Sequence, residues 1–239
     1  VSARTGATLL KGAVYSLQAN HKTREGTAHP DRDAQFRYLN RCVRRAHQGG
    51  QPAISVDTKK KELVGHFKNG GRTWRPQGQP AHDTAEFAAN AIRRWWARMG
   101  RYRFPHARTL LITADAGGSN GPRSRLWKLS LQRVADDSGL TLIVCHFPPG
   151  TSKWNKIDHR LFSFNSQNWR GTPLISHQAI VNLIAATTTR AGLLVKAAID
   201  TRRYHTAVNV SDEHFAQLQI KPHTFHGDWN YTIVPRSVT

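Results

Sequence analysis

Hydrophobic and polar positions follow two regimes along this chain. Short apolar runs stand at 53–56 (AISV), 110–113 (LLIT) and 140–147 (LTLIVCHF), each bounded by turn-forming or charged residues. Between them, apolar residues recur every three or four positions. Continuous runs of this length predict strands buried on both faces, and the longer period predicts amphipathic helices. Strands are therefore expected at 53–57, 110–115 and 140–147. A first helix is expected from Pro30, with Asp31 and Asp33 at its positive end and Phe36, Leu39 and Val43 inward, stopping at Gly49–Gly50. A second is expected after the Asp83-x-x-Glu86 pattern, which resembles a capping box, with Ala85, Ala88, Ile92, Trp95 and Met99 as its stripe.

The next helix is expected over 123–138, with Leu126, Leu129 and Val134 inward. Thr151 or Ser152 would cap another, whose apolar face is Trp154, Ile157, Leu161 and Phe164. A helix from Ser176 carries Ile180, Leu183 and Ile184 and runs toward Gly192. The remainder holds a strand-like run at 193–199, a short helix after Ser211 and an aromatic end, FHGDWNYTIV. One segment breaks the rhythm. HFKNGGRTWRPQGQPAH (66–82) is rich in glycine, proline and charge, and reads as a loop long for a compact α/β unit.

Strands alternating with helices predict an α/β fold with a mostly parallel sheet, and in such sheets chemistry collects at the carboxyl ends of the strands. Asp57 and Asp115 stand at two such ends, and Asp158 lies just inside the helix after the third strand. Carboxylates on rigid elements suit a hard divalent cation, Mg²⁺ or Mn²⁺. Two such ions about 4 Å apart clamp the attacking and leaving oxygens of a phosphodiester. Each aspartate also has a plainer reading. Asp57 could cap the turn at Thr58, Asp115 could serve the AGGSNGP loop, and Asp158 could pair with Lys156, His159 or Arg160.

Composition narrows the partner. The 239 residues include 35 Lys and Arg against 15 acidic residues, a formal charge of +20, with a pI near 11. Such an excess favours a polyanion, most often nucleic acid. Lys59, Lys60, Lys61, Arg123, Arg125, Lys153, Lys156 and Arg160 surround the expected cleft and are candidates to hold DNA phosphates, which sets affinity rather than sequence choice. Hydrophobic residues make up 38% of the chain and seven are tryptophan, enough for a core. Cys42 and Cys145 form no CxxC pair, so neither a disulfide framework nor a zinc knuckle is expected. No apolar run is long enough to span a bilayer, and the default expectation is a cytoplasmic protein, associated with the bacterial nucleoid.

At these residues the chain resembles a known family. VDTKKKELVG, HDTAEFA, RRWW, LLITADAGGSNG, RLWKLSLQRVAD, CHFPPGTSKWNKIDHRLFS, NWRG and FHGDWNYTI look like insertion-sequence DDE transposases of the ISAzo type. More distantly, the Asn155-x-Ile157-Asp158 motif is similar to the Tc/mariner type. The resemblance implies an RNase H-like, three-layer fold, a two-metal site of Mg²⁺ or Mn²⁺, and cutting and joining of double-stranded DNA at transposon ends. It maps the catalytic and metal-binding acids onto Asp57, Asp115 and Asp158, and by analogy a homodimer. The third acid is commonly Glu in the family and is Asp158 here.

An RNase H-like sheet follows its first strand with two antiparallel strands, for which residues 58–82 show no apolar alternation. The expectation is that these two strands are missing, with an internal deletion near GQPAHDT. A helix-turn-helix remnant around RTGATLLK and a linker helix (1–50), a catalytic domain (51–192) and a C-terminal extension (193–239) follow as the expected organisation. Two other functions compete: a catalytically inactive DNA-binding remnant, and a nuclease acting on RNA–DNA hybrids.

Overall fold

The computed structural model describes residues 29–59, 84–170, 172–205 and 208–236. The three apolar runs lie side by side and parallel as β1 (Ala53–Val56), β2 (Thr109–Ala114) and β3 (Thr141–His146). Parallel neighbours need a crossover, and the crossovers carry α2 (Ala85–Trp95) and α3 (Arg125–Ser138). Ala85, Ala88 and Ile92 of α2 and Trp127, Leu131 and Val134 of α3 pack on Leu110, Ile112, Leu142 and Val144 of the sheet. The opposite face of the sheet is covered by α1 (Arg32–Gln48), whose Leu39 joins Leu111, Cys145 and Phe147. The alternation of β2 between these two cores is why Leu110, Leu111 and Ile112 follow one another without a polar break. Three layers result, compatible with the RNase H-like expectation.

Two further strands, β4 (Ile220–Pro222) and β5 (Asn230–Ile233), complete the sheet in the order β1-β2-β3-β5-β4. The sheet is mixed: β1, β2, β3 and β4 share one direction and β5 opposes them, antiparallel to its neighbours β3 and β4. The aromatic end of the chain is therefore sheet: Tyr231 and Ile233 are fully buried in the main core. Its short length and the Gly227 turn hid it from a period-based reading. The stretch where the second and third RNase H strands are expected to be missing lies, from residue 60 to 83, outside the described residues, as do the remnant around RTGATLLK, Lys60 and Lys61.

Local chemistry moved several boundaries. Thr84, not Asp83, caps α2, its hydroxyl accepting the Phe87 N–H at 3.1 Å. Beyond Trp95 the helix widens into a π turn (Trp96–Gly100) and a last turn (Arg101–Arg103), where a side chain at Gly100 would run into the rings of Trp95 and Trp96. Ser124 caps α3, which buries Trp127, Leu131, Val134 and Ala135, while Leu126 and Leu129 are only half-buried. The large indole, not the leucines, sets the rotation of that helix.

The expected helix after residue 151 forms over 156–168, with a π turn inside it, and starts only after Asn155. A 3₁₀ turn (Ser152–Trp154) is followed by a π turn (Asp158–Phe162) and α4 (Ser163–Asn168). The Thr151 hydroxyl donates to the Pro148 carbonyl instead of capping, and Trp154 is half exposed. α5 (His177–Ala185) is capped by Ser176 as expected but ends well before Gly192, and residues 193–199 form no strand. α6 (Asp212–Ala216) is capped by Ser211. Among the described residues, no helix is long and apolar enough to cross a membrane.

The layers are joined by a buried amide pair. The side chains of Gln35 in α1 and Asn230 in β5 exchange two hydrogen bonds of 2.8 Å, and Gln35 also donates to the His146 carbonyl at 2.8 Å. Both are fully buried. Replacing one partner leaves the other's polar atoms dry and unpaired, at a cost of about 1–3 kcal/mol. Asn230→Leu is accordingly expected to lower the unfolding free energy by that amount, read as a lower urea midpoint with an unchanged m-value, whereas Arg37→Ala, on the exposed side of α1, shifts stability by no more than about 0.5 kcal/mol.

Candidate active site

β1 and β2 end in step. Val56 pairs with Ala114, so the residues that follow, Asp57 and Asp115, leave the sheet side by side at its carboxyl end. Asp57 accepts the backbone N–H of Thr58 at 2.7 Å, the turn-capping contact its position allows, and remains half-buried. Between the two strand ends opens a cleft of about 340 Å³ lined by Asp57, Asp115, Gly117, Gly118, Asn120 and Gly150. Gly118, at φ 74°, takes the left-handed conformation that bends the loop back past the carboxylate.

Asp158 reaches this end of the sheet through Asn155. That amide is fully buried and is held from three sides. It donates to the Asp115 carboxylate at 3.0 Å and to the Val56 carbonyl at 3.2 Å, and its oxygen accepts from the Ser55 hydroxyl. The Asn155 carbonyl in turn accepts the Asp158 N–H at 3.1 Å. One side chain thus connects the end of β1, the carboxylate after β2 and the turn that starts at the third aspartate. The sequence showed Asn155 only as part of a motif. Its placement three residues before Asp158, on the same turn, was the available signal.

The carboxylates share one electrostatic field. Burial pushes the Asp115 carboxyl up to about 6, the charge of Asp57 adds to this, the hydrogen bond from Asn155 opposes it, and Asp158 raises it further. Asp115 is the member coupled to both others. The three are not a tight triplet, since their oxygens do not all come within 4.8 Å of one another. Carboxylate oxygens gathered at a strand end fit a hard divalent cation, and a wider spread suits a pair of ions better than one.

Behind Asp115 stands His146, fully buried, with burial driving its pKa down to about 4, so the ring is neutral. Its Nδ1–H donates to the Asp115 carbonyl at 2.9 Å, and Nε2 accepts from the Tyr231 hydroxyl at 3.2 Å. Position, not proton transfer, is its contribution. His159, also near the cleft in sequence, is exposed and lies 2.7 Å from the Lys153 carbonyl.

The basic candidates divide. Lys156 and Arg160 are exposed and line, with Asp57 and Thr58, a second cavity of about 520 Å³ beside β1. The Lys59 ammonium lies 4.7 Å from the centre of the Trp169 ring and that of Lys153 lies 5.5 Å from Trp154. Arg123 is exposed. Arg125 is turned to the C-terminal segment, paired with Asp212 at 2.5 Å and 5.1 Å over Phe215. The structure brings Lys156 and Arg160 to the cavity beside Asp57 and gives Arg125 a packing partner.

A carboxyl whose folded pKa is raised binds its proton more tightly in the folded state, so stability is full below the ordinary value of 3.8 and falls as pH rises toward 6. Without divalent ions, Asp115→Asn is therefore expected to melt above the wild type at pH 7, with the gap closing below about pH 4. Adding Mn²⁺ should raise the melting temperature of the wild type more than that of the variant. Differential scanning fluorimetry across pH checks both, and a variant less stable than wild type at pH 7 would contradict the coupling.

Comparison with protein families finds one that covers the chain, described as the Rhodopirellula transposase DDE domain, matched over residues 1–83 and 80–235. The two matched segments meet within GQPAHDT. Comparison with curated proteins and with solved structures finds no match. With the match extending across both halves and the fold compatible with it, the chain belongs to the Rhodopirellula transposase DDE-domain family of insertion-sequence transposases.

Proposed function

We propose that this chain cuts DNA at the ends of an insertion sequence and joins them to a target, with Asp57, Asp115 and Asp158 as the metal-holding acids. The observation that carries this reading is the pairing of Val56 with Ala114, which puts two of the acids side by side at the end of one sheet. Family membership supports phosphoryl transfer on DNA in general. The excess of basic residues, and Lys156 and Arg160 in particular, supports DNA as the partner.

Mg²⁺ or Mn²⁺ held by the three aspartates would supply Lewis acidity and neutralise charge at the attacked phosphodiester. The chain's own groups do the positioning. Asn155 holds the Asp115 carboxylate toward the cleft, and neutral His146 fixes the backbone from which Asp115 projects. Lys156 and Arg160 bind phosphates along the cavity beside Asp57 and set the strand across the cleft. In the first reaction a water oxygen bonds to phosphorus and the P–O3′ bond breaks. The 3′-oxygen leaves on the element's strand, taking a proton, and the phosphate stays on the flanking 5′ end. In the second, that 3′-hydroxyl attacks a target phosphodiester, forming one P–O bond and releasing another 3′-hydroxyl.

Four substitutions test this. With Mn²⁺ and a plasmid carrying the ends of the element, the wild type is expected to nick DNA and Asp57→Asn or Asp115→Asn to abolish it. Asn155→Ala is expected to retain metal dependence with activity reduced roughly 10- to 100-fold, as for partners that orient metal ligands. Lys156→Ala should weaken binding to all duplexes alike and lower the slope of log K against log salt by about 0.9. Metal-dependent nicking that survives both aspartate substitutions would remove the catalytic assignment.

A further inference from the structure

Away from the aspartate cleft, two distant parts of the chain bring together a different set of donors. His29 and Asp31, just before α1, meet His226, in the turn between β4 and β5. One ligand atom from each lies within 4.8 Å of the other two, the one such triplet among the described residues. Phosphoryl transfer gives these residues no part. We propose that they form a second metal site, for a borderline divalent cation of the Zn²⁺ type, that ties the start of α1 to the C-terminal hairpin.

The donor chemistry separates it from the cleft. Two imidazole nitrogens and one carboxylate oxygen suit zinc, whereas an all-carboxylate set suits Mg²⁺ or Mn²⁺. His226 Nε2 stands 3.0 Å from Asp31 Oδ2. Two ligands at zinc distances on one tetrahedral ion sit about 3.3 Å apart, so little movement is needed. The other ring nitrogen of His226, Nδ1, faces the Asp228 carboxylate at 3.8 Å. A carboxylate behind a metal-binding histidine orients the ring and raises its basicity.

The imidazoles are also held in place. His226 stacks on Trp229 at 4.4 Å and 18°, and His29 meets the same indole edge-on at 4.8 Å. Trp229 is nearly buried. The Nδ1 of His29 accepts the Asp31 N–H at 3.2 Å, drawing that ring back toward the carboxylate. His226 itself has φ 45°, the one non-glycine residue with positive φ among those described. Its carbonyl accepts the N–H groups of Trp229 and Asn230 at 2.8 and 2.7 Å, which fixes the turn. Strain of this kind persists where surrounding contacts over-determine it, and it gathers at binding sites. An ordinary His–Asp pair would need neither the second imidazole nor the shared indole.

Zinc chloride titrated into the metal-stripped full chain, with Mg²⁺ in excess to fill the carboxylate cleft, tests the site. One Zn²⁺ per chain is expected, in the wild type and equally in the Asp57→Asn/Asp115→Asn double variant. His226→Asn keeps a residue that tolerates positive φ, and His29→Gln leaves the turn untouched. Either is expected to weaken Zn²⁺ binding by more than 100-fold or so, and Asp228→Asn by roughly 10- to 100-fold. Co²⁺ should give the visible absorption of a four-coordinate site in the wild type, lost in both histidine variants, with circular dichroism confirming that each is folded. Zinc binding unchanged in both histidine variants, lost in the double aspartate variant, or absent from the wild type would overturn the proposal.

Discussion

The fully buried amide of Asn155 is the contact on which the proposed chemistry rests. It joins a carbonyl at the end of β1, a hydroxyl on β1 and the carboxylate after β2, while its own backbone starts the turn bearing Asp158. Hydrogen bonds of this kind gain strength in a low-dielectric setting and make an unpaired group costly. The same amide stabilises the charged form of Asp115 against the burial and repulsion that favour its neutral form. Mutually repelling carboxylates held this close are helped by a donor of this sort.

The second support comes from the far end of the chain. β5 lies against β3, and through Tyr231 and His146 it reaches the carbonyl of Asp115. Gln132 of α3 accepts the Gln219 N–H and donates to the Val234 carbonyl, and Asp136 grips the guanidinium and the backbone N–H of Arg236. Against partial burial, which raises it, the hydrogen bonds from Arg236 hold the Asp136 carboxyl below the usual carboxylate range. The C-terminal residues thus belong to the architecture behind the cleft. Gln35 and Asn230, and in our proposal a zinc ion on His29, Asp31 and His226, bind the same hairpin to α1.

Much of this was legible in the residues. Continuous apolar runs marked β1, β2 and β3 because strands covered on both faces admit few polar side chains, and the aspartates ending two of them marked the sheet's carboxyl end. What escaped reading was set by tertiary contact. β5 alternates poorly and follows a turn held by His226 at positive φ, so only its pairing with β3 makes it a strand. Trp127 displaced Leu126 and Leu129 as the anchor of α3 because its volume fits the core. The stretch around Asp158 is helical as its pattern suggests, but the helix starts only after Asn155, which the end of β1 and Asp115 hold, and it widens into a π turn at Asp158–Phe162. Arg125, a candidate phosphate contact, also pairs with Asp212 and lies over Phe215, contacts that no pattern in the sequence marked.

The central claim is that Asp57, Asp115 and Asp158 hold divalent cations together at one end of the sheet. The most direct test is a crystal of the protein soaked in Mn²⁺ and measured at the manganese absorption edge. Anomalous peaks bounded by the carboxylates of all three aspartates, with Asp115 shared, are the result expected. Peaks confined to other residues, or a cleft in which Asp158 contacts no ion while the other two do, would contradict the account.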